Sequence, residues 1–212
     1  MIKYEKSASF EMGAHRLNYI LTAPDDIKEG EKLPLIVFLH GAGERGDNIE
    51  QLKVYCVPKL FTNDPNYIRA YTLSPQCLAH PFTWYDLKRE VMALIDEVIA
   101  TNQIDKERVS LCGISMGGFG TWELAMTHPH RFYKIAPLCS GGMSWRAWTL
   151  KMPIRAIHGR LDDVVPYEYS CLMVDAVKNC GGNVEFITFD DLKHNCWDRA
   201  FEQTDLIDWL VK

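Results

Sequence analysis

A chain of 212 residues with 47% hydrophobic and 24% charged residues has an ordinary globular composition and enough length to bury one sizeable core, so a single domain over residues 1–212 is expected. The formal net charge of -5 and the lack of a dense basic run argue against nucleic acid or an anionic membrane as partner, leaving small neutral or cationic molecules. No stretch is long enough to span a bilayer, and the first seven residues lack an apolar core with a small-residue cleavage site, so the chain reads as cytoplasmic.

Tyr4 to Leu21 alternates loosely and predicts an opening pair of antiparallel strands, followed by polar turns at Pro24-Asp25-Asp26 and Lys28-Glu29-Gly30. Leu35 to Leu39 is a continuous apolar run, which suits a strand covered on both faces of a parallel sheet. It leads into His40-Gly41-Ala42-Gly43, and the charged, turn-rich span from Gly41 to Pro65 is expected to be an irregular excursion over one edge of the sheet. Ile68 to Ser74 predicts the next strand. From Trp84 to Ala100, helical spacing puts Leu87, Val91, Leu94, Ile95 and Val98 on one face. An apolar strand at Val109 to Cys112 then passes through Gly113-Ile114-Ser115-Met116-Gly117 into a helix. Strands are predicted at Tyr133 to Leu138, Pro153 to His158 and Val184 to Phe189, with a helix from Tyr167 to Lys178 closed by Gly181-Gly182. One closing helix from Trp197 to Val211 is expected to bury Phe201, Leu206 and Leu210. Strands alternating with amphipathic helices predict an α/β fold with a mostly parallel central sheet covered on both faces.

The Gly-x-Ser-x-Gly corner carries the chemistry. A serine between strand and helix is forced into a sparsely populated backbone geometry, and Gly113 and Gly117 lie where a side chain would strike the neighbouring chain. The Ser115 hydroxyl is thereby pushed out of the core, beside the Met116 N–H and the positive end of the following helix. Five positions with three fixed also occur by chance, and a glycine-rich corner can cradle a phosphate. No Lys follows these glycines, however, and no fitting acidic residue ends the next strand.

A serine hydroxyl needs a base to take its proton and an acid to orient that base. Ligands of an alternating sheet gather beyond the carboxyl ends of the strands, which reduces seven histidines to His40, His158 and His194. Asp162 and Asp163 lie just past the strand ending at His158, and His194 enters the closing helix, giving the chain order Ser, Asp, His. The plainer roles are a surface or capping histidine and turn carboxylates; Asp163, nearer Pro166, suits the turn role better. Ala42 N–H in Gly41-Ala42-Gly43 is the expected second donor to an oxyanion, with His40 as hydrogen-bonding support for that turn rather than a base. Trp84, Trp145, Trp148 and Trp197, with Met116 and Met143, are candidate walls of an acyl or aryl pocket, although large aromatics are more often core. Trp145 and Trp148, after a glycine pair, are favoured as rim. The seven cysteines are odd in number, form no C-x-x-C, and show no zinc-type spacing with histidine, so reduced thiols and no metal are expected. Cys196, two residues from His194, is assigned a core or pocket-lining role.

With these residues in view, the chain resembles the α/β-hydrolase superfamily, and within it the compact carboxylesterase, acyl-protein thioesterase and dienelactone-hydrolase-like group. The matching pieces run from Leu33 to Lys212: His40-Gly41-Ala42-Gly43-Glu44-Arg45-Gly46, Ser74-Pro75-Gln76, Trp84-Tyr85-Asp86, Gly113 to Gly118, His158-Gly159 through Asp162 to Val165-Pro166, and His194. Phe119-Gly120-Thr121-Trp122 and His194-Asn195-Cys196-Trp197-Asp198 look most like predicted esterases and peptidases related to polyhydroxybutyrate depolymerases and feruloyl esterases. The resemblance implies an α/β-hydrolase fold with little or no cap domain and hydrolysis of a small carboxylic ester through an acyl-enzyme. It implies Ser115 as nucleophile, His194 as base and Asp162 as its partner, and no cofactor is called for. Short-chain acyl, aryl or carbohydrate esters, feruloyl and acetyl esters among them, are the implied substrates. Thioesterase or prolyl-peptidase-like activity on the same residues, and a catalytically idle binding protein of this fold, are the alternatives.

Overall fold

A computed structural model describes residues 4–212. The fully apolar run is the middle of an eight-stranded sheet: Leu33–Leu39 (β3) is buried at every position. Before it come Tyr4–Met12 (β1) and His15–Ala23 (β2), paired antiparallel as the alternation predicts, with Tyr4 opposite Ala23. The remaining strands are Tyr71–Pro75 (β4), Ile104–Ile114 (β5), Ile135–Leu138 (β6), Ile154–Gly159 (β7) and Val184–Phe189 (β8). They lie in the order β1-β2-β4-β3-β5-β6-β7-β8, and from β4 to β8 every pairing is parallel.

Helices cover both faces, and the strand residues sort between two cores. Leu35, Val37 and Leu39 pack with Lys88–Thr101 (α2), Met116–Thr127 (α3) and Glu168–Asn179 (α4). Ile36 and Phe38 face the other way, toward Cys56–Asn63 (α1), Trp197–Gln203 (α5) and Leu206–Val211 (α6). α2 buries Val91, Leu94, Ile95 and Val98, each worth roughly 1.5–3 kcal/mol when removed from water. That burial fixes the helix on the sheet.

Among the departures from the sequence expectation, four have a clear local reason. β4 begins at Tyr71 rather than Ile68, because Ala70 N–H turns back to Ile68 O and the Arg69 guanidinium is drawn out to Asp26 and Glu31. α2 begins at Lys88 rather than Trp84, since the Asp86 carboxylate accepts from Thr83 N–H and Oγ–H and closes a separate turn first. The span Gly41 to Pro65 is not irregular: it holds two 3-10 turns, Ala42–Glu44 and Ile49–Val54, and α1, which buries Val57 and Phe61. The closing helix is broken between α5 and α6, where the Thr204 hydroxyl bonds Ala200 O and receives Leu206 N–H while Asp205 is held by Arg155. Phe201, Leu206 and Leu210 are nonetheless all buried.

The register aligns the strand ends that matter. Leu39 sits opposite Gly113, Ile114 opposite Leu138, Leu138 opposite Ile157 and Gly159 opposite Phe189. The segments leaving β3, β5, β6, β7 and β8 therefore emerge along one edge. Because β4 lies on one side of β3 and β5 on the other, the crevice beyond β3 and β5 is where the winding reverses, the place such sheets bind ligands.

Candidate active site

Ser115 stands at that reversal. Its φ of 51 and ψ of -119 are strained for a residue with a side chain, and the corner is possible only because its neighbours lack one. A Cβ at Gly113 would strike the Gly117 carbonyl, and one at Gly117 would fall on Leu39 O and His40 O. Gly118 and Gly120 let α3 press equally closely on Leu138, Ser140 and Trp84. The strain is held by Ser115 N–H to Leu138 O at 3.0 Å and by Phe119 N–H to Ser115 O at 3.1 Å.

The structure brings the three predicted residues into one line. His194 Nε2 lies 2.9 Å from Ser115 Oγ, and His194 Nδ1 lies 2.7 Å from Asp162 Oδ2. Asp162 is fully buried at its side chain, and its other oxygen accepts from Val164 N–H and Val165 N–H, each at 2.9 Å. Burial pushes its carboxyl up, but the bonds from His194, Val165 and Val164 outweigh that and hold it below the ordinary carboxylate value. With Asp162 ionised, His194 Nδ1 carries the hydrogen and Nε2 is left to accept from Ser115 Oγ–H. Asp163 takes no part; it is exposed and paired with Lys193 at 2.7 Å.

The loop bearing His194 is fastened from below. Cys139 Sγ is 3.1 Å from His194 O and 2.9 Å from Cys196 Sγ, both thiols being buried. Cysteines without close spacing in sequence thus meet in space, and burial pushes the Cys139 thiol well above its ordinary value. Cys196 packs in the core, and Trp197 sets its ring edge-on against the His194 ring at 5.3 Å.

The turn after β3 faces Ser115. Gly41 is close enough that its absent Cβ would touch Ser115 Cβ at 3.8 Å. Ala42 opens a 3-10 turn and Met116 opens α3, so each contributes an N–H from the first, unpaired position of a helical turn. His40 supports this turn. Its Nδ1–H donates to Gly41 O at 2.6 Å and its Nε2 accepts from Cys77 N–H at 2.8 Å. Burial drives its pKa from 6.5 down to about 4, so the ring is neutral and its tautomer fixed.

The predicted tryptophan walls separate. Trp84 is a correction: it is fully buried in the core, with Nε1–H donating to His40 O at 3.0 Å, and it cannot touch a substrate. Trp145 and Trp148 are 74% and 64% exposed, and Trp145 lines a cleft of about 340 Å³ together with Tyr85, Phe119, Met143, Tyr169 and Leu172. Trp148 lies outside that lining. The cleft flanks the first turn of α3, and sequence reasoning missed most of it, since its walls come from four separate segments. A cleft of similar size at Pro24, Asp25, Asp26, Asn66 and Arg69 is at the opposite, amino end of β4. No helix among the described residues is long and apolar enough to cross a membrane.

Comparison with known proteins agrees with this architecture. A family model described as phospholipase/carboxylesterase matches residues 71–207. An acyl-protein thioesterase 1 homolog of Dictyostelium discoideum is 27% identical over 192 aligned residues, covering 76% of this chain and 82% of that protein. A thermostable esterase of known structure superimposes with a TM-score of 0.83 at 27% identity over 97% of this chain, which spans 62% of that esterase. An S-formylglutathione hydrolase from Staphylococcus aureus shares the fold at a TM-score of 0.78 and 16% identity, over 100% of this chain and 97% of that one.

Proposed function

The chain belongs to the phospholipase/carboxylesterase family of α/β hydrolases, and from that premise we infer that it is a serine esterase acting through Ser115, His194 and Asp162. The observation that carries this is the continuous line from Ser115 Oγ through the His194 ring to Asp162 Oδ2, with contacts of 2.9 and 2.7 Å. His194 Nε2 takes the Ser115 proton as Oγ attacks the ester carbonyl carbon, whose oxygen becomes an oxyanion. Met116 N–H and Ala42 N–H receive that oxyanion. The C–O bond to the alcohol breaks as His194 returns the proton to the leaving oxygen, which leaves an acyl group on Ser115. Water, deprotonated by His194, then adds to the acyl carbon, and the proton returns to Ser115 as the acid departs.

The substrates proposed are short-chain acyl, aryl or carbohydrate esters, acetyl and feruloyl esters included. The apolar cleft at Tyr85, Phe119, Met143, Trp145, Tyr169 and Leu172 supports an aryl or acyl group lying along the start of α3. Trp197, packed edge-on against the His194 ring, serves to hold the imidazole beside the substrate. The thioesterase relative makes thioesters a second substrate class on the same chemistry.

A panel of p-nitrophenyl acetate and butyrate, methyl ferulate, acetylated xylan fragments, an acyl thioester and a prolyl arylamide tests the assignment. Turnover of esters by the native chain, abolished in Ser115→Ala and His194→Ala, is expected. Thioester turnover exceeding ester turnover would favour the thioesterase reading, and amide cleavage exceeding both would favour a peptidase. Binding without turnover of any of them would sink the enzymatic reading.

A further inference from the structure

A second imidazole touches the same carboxylate. His158 is the next-to-last residue of β7 and is fully buried, and its Nε2 lies 2.9 Å from Asp162 Oδ2, the oxygen that accepts from His194. Nε2 is also 3.1 Å from Val165 O. Both neighbours are acceptors, so the hydrogen of the ring resides on Nε2. On the far side of the ring, Nδ1 lies 2.7 Å from Ser170 Oγ, which is itself 2.7 Å from Ser140 O. Burial depresses the proton affinity of His158 more than Val165 O and Asp162 raise it, which keeps the ring neutral. The one Ser170 hydroxyl hydrogen lies between two acceptors, His158 Nδ1 and Ser140 O, so the tautomer is set at the Nε2 end and Ser170 holds the ring in place.

We propose that His158 is a positioning residue for ester hydrolysis: its Nε2–H, held in place by Ser170, fixes the rotation of the Asp162 carboxylate and shares the charge on the oxygen that orients His194. The inference rests on the triad reading above. Oδ1 is pinned by two backbone N–H groups, but Oδ2 would otherwise be held by His194 alone, the one partner that must change protonation during the reaction. A second, neutral donor keeps Oδ2 in place through that change. It also withdraws some of the negative charge that pulls on His194 Nδ1–H. The arrangement is rigid because its members come from β7 (His158), the loop after it (Asp162), α4 (Ser170) and the segment after β6 (Ser140), all buried against one another.

The test uses the full chain with His158→Phe, His158→Gln, Ser170→Ala and Asp162→Asn. Each variant is followed by p-nitrophenyl acetate kinetics, thermal unfolding, and the low-field proton resonance of His194 Nδ1–H. For a carboxylate released from its second donor, a loss of about 10²-fold in kcat is expected in His158→Phe, with KM unchanged. The resonance should move downfield, since Oδ2 then serves His194 alone. His158→Gln, whose amide N–H reaches near the position of Nε2, should regain most of the lost kcat and return the resonance toward its native position. A folded His158→Phe protein with native kcat and an unmoved resonance overturns the proposal. Equal losses in the Phe and Gln variants with the resonance unmoved overturn it too, because they mark lost packing alone. Should the Phe variant not fold, Ser170→Ala carries the same reading: a fall in kcat with a moved resonance supports the role, and native values refute it. Native kcat in Asp162→Asn would instead strike the triad reading beneath it.

Discussion

Replacing His40 with Gln is expected to remove a measurable part of the acid sensitivity of the fold. His40 is buried with its Nε2 accepting from Cys77 N–H, so a proton at that nitrogen would face a donor and find no water. The folded ring therefore holds its neutral form down to about pH 4, against 6.5 in the ordinary case. The sign follows from linkage: between those two values the unfolded chain binds a proton that the folded chain does not, so stability falls as pH drops from 6.5 and the loss is complete near 4. At about 1.4 kcal/mol for each tenfold difference in proton affinity, the window amounts to about 3 kcal/mol. Gln offers an acceptor near Nε2 and does not titrate. Urea unfolding followed by tryptophan fluorescence at a series of pH values from 7 to 4 measures this, because carboxylates and the other buried histidine contribute to both proteins and cancel. The native protein should be the more stable at pH 7, and its advantage should shrink by about 3 kcal/mol by pH 4. Parallel stability curves would refute the reasoning, since they would mean that the ring takes a proton in the folded state as easily as in water.

Other expectations concern the corner, the acid and the aromatic residues. Gly117→Ala places a methyl group on Leu39 O and His40 O, and a loss of more than about 3 kcal/mol or failure to yield soluble protein is expected in thermal unfolding; native stability would contradict the packing at the corner. Asp162→Asn should lower kcat by about 10⁴-fold through the wrong histidine tautomer, whereas Asp163→Asn, which only frees Lys193, should leave steady-state rates close to native; equal losses would reopen the choice between them. Trp84→Phe removes the bond to His40 O and should cost about 1–3 kcal/mol of stability without altering relative rates among the esters, while Trp145→Ala should raise KM for aryl esters with the melting temperature unchanged. The reverse pattern would return Trp84 to the substrate side.

Much of this architecture was legible in the sequence because its signals are local. Val184–Phe189 has the bounds its composition predicts, β3 is an uninterrupted apolar run, and Gly113 and Gly117 announce a corner whose spacing admits few other uses. Ser115, His194 and Asp162 could be selected because each follows a strand, and parallel strands in register bring their ends to one edge. α1 escaped notice because it is eight residues long, contains Pro58 in its first turn, and buries few apolar side chains to set a period. The break at Thr204-Asp205 depends on a hydroxyl folding back on Ala200 O and on Arg155, fifty residues away. Trp84 illustrates the remaining gap: a tryptophan between two turns has the same composition signal whether it lines a cleft or, as here, is sealed beneath His40. His158 stands out in the sequence as a strand-end histidine, but its meeting with Asp162 and Ser170 is a matter of three-dimensional placement.

Ser115 Oγ is the proposed acceptor of the acyl group, and the most direct measurement of that role is covalent capture. A fluorophosphonate is incubated with the native chain and with Ser115→Ala, and the adduct is located by intact mass and peptide mapping. One adduct on the peptide carrying Ser115, lost in Ser115→Ala together with ester turnover, is the predicted result. An adduct on another residue, or undiminished turnover in Ser115→Ala, would contradict it.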